Sequence, residues 1–224
     1  MKSAIEIKLN LGCGACQPEG WINTDSSLNA LLQRTPIIGK IVPKLFKSRF
    51  YETNRAVYMD VSKKWKYDSG AVDVVYASHL FEHLAQWQTN VLLKEAYRVL
   101  KPGSVIRIVV PDLLQQARNY ISRFDNGHED PSKEFMWSIN LHRENMYGTP
   151  SALKKVIYER QGYPHQHKFM YDEKSLSKRL TNYGFIQINT ASYGESKYIA
   201  SIKDVEGDRE HYPSVYLEAL KPNQ

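Results

Sequence analysis

Cysteine is scarce in this sequence, which has two among 224 residues. Two cysteines close together cannot cross-link a domain of this size, so we expect a reducing, cytoplasmic environment. The sequence also lacks any run of about 20 apolar residues, the length that a membrane-spanning helix needs. Its first residues show no signal-peptide core. We therefore predict a cytoplasmic protein that is not integral to a membrane.

Repeats and low-complexity tracts are lacking as well, and neither sign of charge dominates. The 30 Lys and Arg residues exceed the 24 Asp and Glu residues by a net charge of +6, which permits an anionic partner without indicating one. The lysines are scattered, whereas a nucleic-acid surface would cluster basic residues with stacking aromatics. A hydrophobic fraction of 42% is that of an ordinary globular chain. The length suits a single domain over residues 1–224.

Strand-like segments alternate with helical segments along most of the chain. Strand patterns are found at 5–11, 21–25, 56–60, 72–76, 104–110, 185–190 and 214–220. Helical patterns are found at 91–100, where Lys101-Pro102-Gly103 would end the helix, at 112–124, and from the N-cap residue Asp172 to near Gly184. This alternation predicts an α/β domain with a mostly parallel sheet.

Two stretches depart from the alternation. Residues 28–50 mix apolar and basic side chains around Pro36, Gly39 and Pro43, which break any long helix. We interpret this stretch as a lid over the ligand pocket, with a peripheral membrane contact as the alternative. Residues 126–170 are rich in aromatic residues and histidines without a clear period, and we predict an irregular insertion there.

Glycines and polar residues end the first five predicted strands. In an open parallel sheet, ligands bind beyond the carboxyl ends of the strands. Glycines let backbone N–H groups approach a ligand, and an acid after the second strand can hold a ribose diol. These strand ends carry Gly12-Cys13-Gly14, Asp25, Asp60, Ser78-His79 and Asp112. Their order predicts a site for a ligand that contains a nucleoside.

Two common nucleotide motifs are missing. The NAD fingerprint needs G-x-G-x-x-G at the start of a helix, but position 17 is Gln and Pro18 disfavours a helix. A pyrophosphate would therefore lack its helix N-terminus. No G-x-x-x-x-G-K-[ST] motif is present to hold a triphosphate. NAD and ATP are thus disfavoured, and a nicotinamide-dependent reductase requires that the short loop alone can hold a pyrophosphate.

A set of motifs distributed over most of the chain carries a family resemblance. The motifs are LNLGCG at 9–14, INTD at 22–25, the pair Asp60-Val61, VVYASHLFEHL at 74–84, EAYRVLKPGSVIRIVVPDL at 95–113, HKFMYDEKSL at 167–176 and NYGF at 182–185. Together they resemble the class I S-adenosylmethionine-dependent methyltransferases, specifically the type 11 methyltransferase-domain group. The resemblance implies a Rossmann-like, doubly wound sheet of about seven strands, the last antiparallel, with helices on both faces.

The resemblance also implies S-adenosyl-L-methionine as the cofactor and assigns residues to its parts. By that assignment, Gly12, Cys13 and Gly14 contact the methionine part, Asp25 binds the ribose hydroxyls, Asp60 and Val61 read the adenine, and Ser78 and His79 lie beneath the sulfonium, facing the acceptor.

Two features depart from the family pattern. Cys16 replaces the usual third loop glycine, and the helix between the first two strands is nearly absent. The short connection is similar to that of a small subset of the family often associated with surface-polysaccharide synthesis. This likeness implies a carbohydrate-like acceptor.

Histidines on the expected acceptor side are candidates for chemistry. His83, or else His79, could act as a general base on an acceptor hydroxyl. The alternative is that Glu82 and His83 hydrogen-bond loop backbone and order the pocket floor. The candidates for acceptor binding are His142, His165, His167 and Tyr171. Their alternative role is structural, as residues of loops beside the helix that Asp172 caps.

Cys13 and Cys16 have the C-x-x-C spacing of redox and zinc sites. His165 and His167 could complete a zinc site with them. A redox pair should open a helix, which Pro18 disfavours, so we favour two small residues that fill a turn. Nothing in the sequence requires a metal, and none is expected.

The predicted function is methyl transfer from S-adenosylmethionine to an oxygen or nitrogen atom of a small-molecule or saccharide acceptor. Because the sulfonium is already a strong electrophile, the protein mainly aligns donor and nucleophile. The alternatives are a non-catalytic protein that keeps the cofactor pocket and, less favoured, the nicotinamide-dependent reductase.

Overall fold

A computed structural model describes residues 6–27, 30, 56–141, 166–207 and 213–223. Its strands are β1 (Lys8–Leu11), β2 (Ile22–Asp25), β3 (Val57–Tyr58), β4 (Val72–Ser78), β5 (Leu100–Pro111), β6 (Ile186–Thr190) and β7 (Ser214–Leu220). Its helices are α1 (Gln86–Val99), α2 (Leu113–Asp125), α3 (Pro131–Ser138), α4 (Glu173–Asn182) and α5 (Ile202–Glu206), with a 3₁₀ turn at Phe81–His83. The predicted lid at 28–50 falls, except for residue 30, outside the described residues.

The strands form one seven-stranded sheet in the order β3-β2-β1-β4-β5-β7-β6. β7 runs antiparallel to both of its neighbours, whereas the pairs from β3 to β5 are parallel. The predicted fold class, a mostly parallel Rossmann-like sheet whose last strand is antiparallel, is therefore confirmed. Residues 12–21 connect β1 to β2 without a helix, as their sequence predicts.

The central strands β4 and β5 are buried on both faces because apolar side chains point alternately to each side of the sheet. One face packs against α1 and α4 through Leu9, Leu11, Val75, Ala77, Ile106, Ile108, Leu92, Leu93, Ala96, Leu176 and Leu180. The other face packs against α5 and the residues before it through Val74, Tyr76, Val105, Val109, Ile199, Ile202 and Val205. The result is a three-layer core with the sheet in the middle.

Helix α4 begins where the sequence predicts it. The Asp172 carboxylate accepts the Ser175 backbone N–H at 2.7 Å, which satisfies one of the unpaired donors of the first turn. The helix ends at Asn182, and Gly184 follows it with a φ of +88°, a value that glycine adopts without strain.

The prediction that 126–170 is irregular is wrong over Pro131–Ser138, which form α3. The Asp130 carboxylate accepts the Lys133 N–H at 3.0 Å, and Pro131 occupies the first turn, where its missing N–H costs nothing. Between the last two strands, Ile202–Glu206 form the short helix α5. None of the helices in the described ranges combines the length and the apolar composition needed to cross a membrane.

A buried charged network joins α5 to the sheet. Arg107 on β5 is fully buried, and both its Nε and one terminal nitrogen donate to Glu206 at 2.8 and 2.6 Å. The other terminal nitrogen donates to Glu218 on β7 at 2.9 Å. The carbonyl groups of Ser192 and Glu195 accept the remaining donors at 2.8 and 2.9 Å. The guanidinium group thus has a partner for every N–H.

Candidate functional site

The parallel register brings the predicted strand-end residues to one edge of the sheet. Leu11 at the end of β1 pairs with Thr24 of β2 and with Ala77 of β4, so the next residues of all three strands emerge side by side. Asp25 pairs with Tyr58 of β3, which places Asp60 just beyond the same edge. The arrangement matches the rule that ligands bind beyond the carboxyl ends of parallel strands.

The turn after β1 requires its glycines. Gly12 and Gly14 have φ values of +62° and +52°, which side chains rarely tolerate. A Cβ atom on Gly12 would lie 2.9 Å from a methyl carbon of Leu80, whereas a Cβ atom on Gly14 would meet nothing within 4 Å. The Cys13 N–H donates to the Thr24 carbonyl at 2.9 Å and holds the turn against β2. Gly14 therefore faces open space, as a residue beside a ligand must.

Asp25 links this turn to the rest of the site. One carboxylate oxygen accepts the Gly14 N–H at 3.0 Å, and the other accepts the Ser27 N–H at 2.6 Å. Its carbonyl accepts the Met59 N–H at 3.0 Å. Because a carboxylate can accept about four hydrogen bonds, Asp25 can hold the turn and still bind two hydroxyl groups.

Asp60 is prepared as an ionised acceptor. Burial by itself would raise its pKa, but hydrogen bonds from the Ser62 N–H at 3.0 Å and hydroxyl at 2.6 Å, together with Lys63 at 3.1 Å, hold the pKa below its usual value. The neighbouring Val61 is buried in the apolar core. The Asp60 carboxylate could therefore accept a hydrogen bond from an adenine amino group, and Val61 provides an apolar surface beside it for the adenine ring.

Buried amide side chains that were not predicted as site residues hold the short loop between β1 and β2. The Asn10 amide donates to the Cys16 carbonyl and to the Asn23 side chain, both at 2.9 Å. The Asn23 amide donates to the Pro18 carbonyl at 2.9 Å, and the Gln17 amide to the Gly14 carbonyl at 2.8 Å. An asparagine inside each of two apolar strands could have indicated this network, because buried asparagine side chains normally have hydrogen-bond partners.

The two cysteines have the geometry of residues that fill a turn. Cys13 is 2% exposed, and burial, with the nearby Asp25 charge and Cys16, raises the pKa of its thiol to about 12. The Cys16 sulfur donates to the Val205 carbonyl at 3.1 Å, and both cysteines are free thiols. A protonated thiol is neither a nucleophile nor a metal ligand.

We therefore expect Cys13 to resist alkylation by iodoacetamide at pH 8 in the folded protein. A pKa near 12 leaves about a thousandfold less thiolate than an ordinary cysteine has. Intact-mass measurement on the Cys16→Ala variant reports Cys13 alone, and the Cys13→Ala variant provides the matched control for Cys16. Alkylation of Cys13 at the rate seen in 6 M guanidinium would contradict the expectation.

His79 stands at the end of β4 in a left-handed backbone conformation, with a φ of +50°. Its N–H donates to the Val109 carbonyl at 2.9 Å. On its ring, Nδ1 lies 3.2 Å from a Glu82 carboxylate oxygen and Nε2 lies 3.4 Å from the Ser214 hydroxyl. A non-glycine residue at this φ is uncommon, and such strain is frequent at functional sites.

The segment 166–170 is hydrogen-bonded to the 3₁₀ turn at Phe81–His83. The Glu82 carbonyl accepts the N–H groups of Lys168 and Phe169 at 2.6 and 3.3 Å. His83 Nδ1 lies 3.4 Å from the Gln166 carbonyl. These contacts favour the interpretation that Glu82 and His83 order the pocket floor, and a base role for His83 stays a prediction.

His167 lies beside this turn. Its ring packs edge to face on the His83 ring with centroids 4.8 Å apart, and its Nδ1 lies 3.3 Å from the Met170 sulfur. Burial lowers the pKa of His167 to about 4, while the nearby Glu82 charge acts in the opposite direction. The imidazole is therefore neutral at physiological pH. Its predicted acceptor contact stays a prediction.

Tyr171 has a structural environment. It is 1% exposed, packs against Phe81 and Phe169, and its hydroxyl accepts a hydrogen bond from Gln86 at 3.3 Å. These contacts favour a core role over acceptor binding. The other two predicted acceptor residues, His142 and His165, lie outside the described residues.

Comparison with known proteins indicates a methyltransferase domain. Residues 9–108 match the family described as "Methyltransferase domain", type 11. No curated protein sequence is significantly similar to the chain.

Many solved structures share the fold. The chain is similar to a SAM-dependent methyltransferase from Archaeoglobus fulgidus, with 17% identity, a TM-score of 0.53, and coverage of 97% of this chain and 87% of that one. It is also similar to SAM-dependent methyltransferases from Methanosarcina mazei, with 14% identity, a TM-score of 0.51, and coverage of 99% and 95%. Residues 9–108 therefore form a methyltransferase domain of the type 11 family.

Proposed function

We propose that this methyltransferase transfers the methyl group of S-adenosylmethionine to an oxygen or nitrogen atom of a small or carbohydrate-like acceptor. The observation that carries the site assignment is the shared edge of the sheet, where the Gly12–Gly14 turn, Asp25 and Asp60 emerge together. These residues offer an open glycine turn, a carboxylate for two hydroxyls and an ionised acceptor, in the order that one adenosyl ligand requires.

When bound, S-adenosylmethionine supplies an electrophilic methyl group on a sulfonium. The chain's residues would position this ligand. Asp25 would accept hydrogen bonds from the ribose hydroxyls, Asp60 would accept one from the adenine amino group, and the Gly14 turn would leave room for the methionine part. The chemistry that S-adenosylmethionine would supply is transfer of this methyl group to an acceptor lone pair, with S-adenosylhomocysteine as the second product. Holding the two reactants in line can remove about 7–11 kcal/mol from the barrier.

A hydroxyl acceptor must also lose its proton. Of the two predicted bases, His79 is better oriented, because Glu82 lies 3.2 Å from Nδ1 and fixes the imidazole with Nε2 as the accepting atom. The Ser214 Oγ atom lies 3.4 Å from the same Nε2 atom. An amine acceptor would need less help from a base because its neutral form is already a nucleophile.

We expect S-adenosylhomocysteine to bind the protein and NADH not to bind. The connection at 12–21 contains no helix, so it offers no helix N-terminus to hold a pyrophosphate. Isothermal titration calorimetry with S-adenosylmethionine, S-adenosylhomocysteine and NADH measures all three affinities in one buffer. Tighter binding of NADH than of either adenosyl compound would contradict the assignment of the site.

Turnover separates a catalyst from a protein that only binds the cofactor. We expect S-adenosylhomocysteine to accumulate when S-adenosylmethionine is incubated with a panel of sugars and amines, and mass spectrometry of the acceptors identifies the methylated atom. Cofactor binding without turnover across hydroxyl and amine acceptors alike would contradict the proposed acceptor class.

A further inference from the structure

Three side chains capable of binding a metal converge beside the end of β4. Glu82 and His83 come from the 3₁₀ turn and His167 comes from the segment after the insertion, yet their ligand atoms all lie within 4.8 Å of one another. In the part of the chain that the structure describes, no other group of three such residues meets this condition. Cys13 and Cys16 are not members of the cluster.

We propose that Glu82, His83 and His167 bind one divalent transition-metal ion, with zinc as the best match. Two imidazoles and one carboxylate are ligands that zinc and its neighbours accept, whereas magnesium and calcium prefer oxygen ligands alone. No metal is expected from the sequence, because His167 lies more than eighty positions from Glu82 and His83. Metal binding at these residues does not depend on the acceptor class proposed above.

The Glu82 carboxylate supplies an independent observation. Its side chain is 1% exposed, and its Oε2 atom is buried without a hydrogen-bond partner among the described residues, whereas Oε1 faces His79. A buried, unpartnered carboxylate oxygen is costly, and buried charges are normally paired or bound to metal. A cation between Glu82 and the two histidines would satisfy that oxygen.

The surroundings orient the proposed ligands. His83 Nδ1 lies 3.4 Å from the Gln166 carbonyl, the usual partner of the second nitrogen in a metal-bound histidine, so Nε2 is the atom presented to the ion. His79 orients the Glu82 carboxylate in the same way, because its Nδ1 atom lies 3.2 Å from Oε1. Three protein ligands leave one position of a tetrahedral ion open to water or to another oxygen ligand.

Metal titration of the full-length protein tests the site directly. After treatment with a chelator, the protein is titrated with Zn²⁺ in competition with a chromogenic chelator, and separately with Co²⁺ while its visible absorption is recorded. We expect one equivalent to bind, with Co²⁺ bands of a nitrogen and oxygen site. His83→Ala, His167→Ala and Glu82→Gln should each weaken Zn²⁺ binding at least about tenfold.

Two controls make the result specific. His128→Ala removes an exposed histidine that lies 3.7 Å from Glu134, and it should leave the affinity unchanged. The double variant Cys13→Ala, Cys16→Ala should also bind Zn²⁺ as the parent protein does. Sulfur-to-metal charge-transfer absorption with Co²⁺, or loss of binding in the cysteine variant alone, would overturn the assignment.

Because Glu82 and His167 are buried, their variants are accompanied by circular dichroism to establish that they fold. His83 is only half-buried, so His83→Gln keeps the test decisive if the other variants do not fold. Saturating Zn²⁺ should raise the melting temperature of the parent protein and not that of His83→Gln. Equal Zn²⁺ affinity in the parent protein and His83→Gln, or no Zn²⁺ binding by the parent protein, would overturn the proposal.

Discussion

The Arg107→Ala variant is expected to be less stable than the parent protein by about 3–5 kcal/mol, because it leaves buried charges without their partner. Glu206 and Glu218 are 2% and 3% exposed, and both lose their ion pair with the guanidinium group. The carbonyl groups of Ser192 and Glu195 lose a donor as well. Urea denaturation followed by circular dichroism measures the free energy of unfolding.

An ion pair on the surface provides the matched control. Arg123 pairs with Glu134 at 3.0 Å, and both side chains are about two-fifths exposed. Arg123→Ala should cost no more than about 1 kcal/mol, since solvent screens exposed pairs. The triple variant Arg107→Met, Glu206→Gln, Glu218→Gln should recover part of the lost stability, because it leaves no buried charge without a partner. If Arg107→Ala and Arg123→Ala lowered the free energy of unfolding equally, the buried network would stabilise the fold no more than a surface ion pair does.

The Asp25→Ala variant is expected to bind S-adenosylhomocysteine about 10- to 150-fold more weakly, the equivalent of about 1.5–3 kcal/mol for hydrogen bonds to a charged group. The variant loses the proposed acceptor of the ribose hydroxyls, and it also loses the bond that holds the Gly14 N–H in place. Asp25→Asn keeps one oxygen acceptor and should fall between the alanine variant and the parent protein. Calorimetric titration requires no knowledge of the methyl acceptor.

Asp73 is the matched control for this experiment because it lies at the opposite end of the sheet. Its carboxylate accepts the Ile7 N–H at 2.8 Å and pairs with Lys101 at 2.6 Å, and these bonds hold its pKa below the usual value despite partial burial. Asp73→Ala should lower stability without changing cofactor affinity. If Asp25→Ala binds S-adenosylhomocysteine as tightly as the parent protein and Asp73→Ala do, the ribose assignment is wrong.

Much of the fold was predictable because its signals are local. The apolar segments of the central strands, the glycine turn after β1 and the Asp172 cap each depend on a few neighbouring residues. The order of strand ends also predicted the position of the candidate site, since parallel strands must end at one edge. Helix α3 was missed although Asp130 and Pro131 form a local start signal; the aromatic composition of the insertion obscured it.

The sequence by itself determined the class of fold and, through its resemblance to a known family, the cofactor. It also predicted the edge of the sheet where the candidate site lies. The tertiary structure alone decided which distant side chains meet. Arg107 and Glu206 are 99 positions apart, and His83 and Gln166 are 83 apart, so no local pattern reveals their contact. Packing likewise placed Tyr171 in the core, brought Glu82, His83 and His167 together, and left the Glu82 Oε2 atom buried without a hydrogen-bond partner among the described residues. Such contacts follow from how helices and loops close over the sheet, which depends on the whole chain.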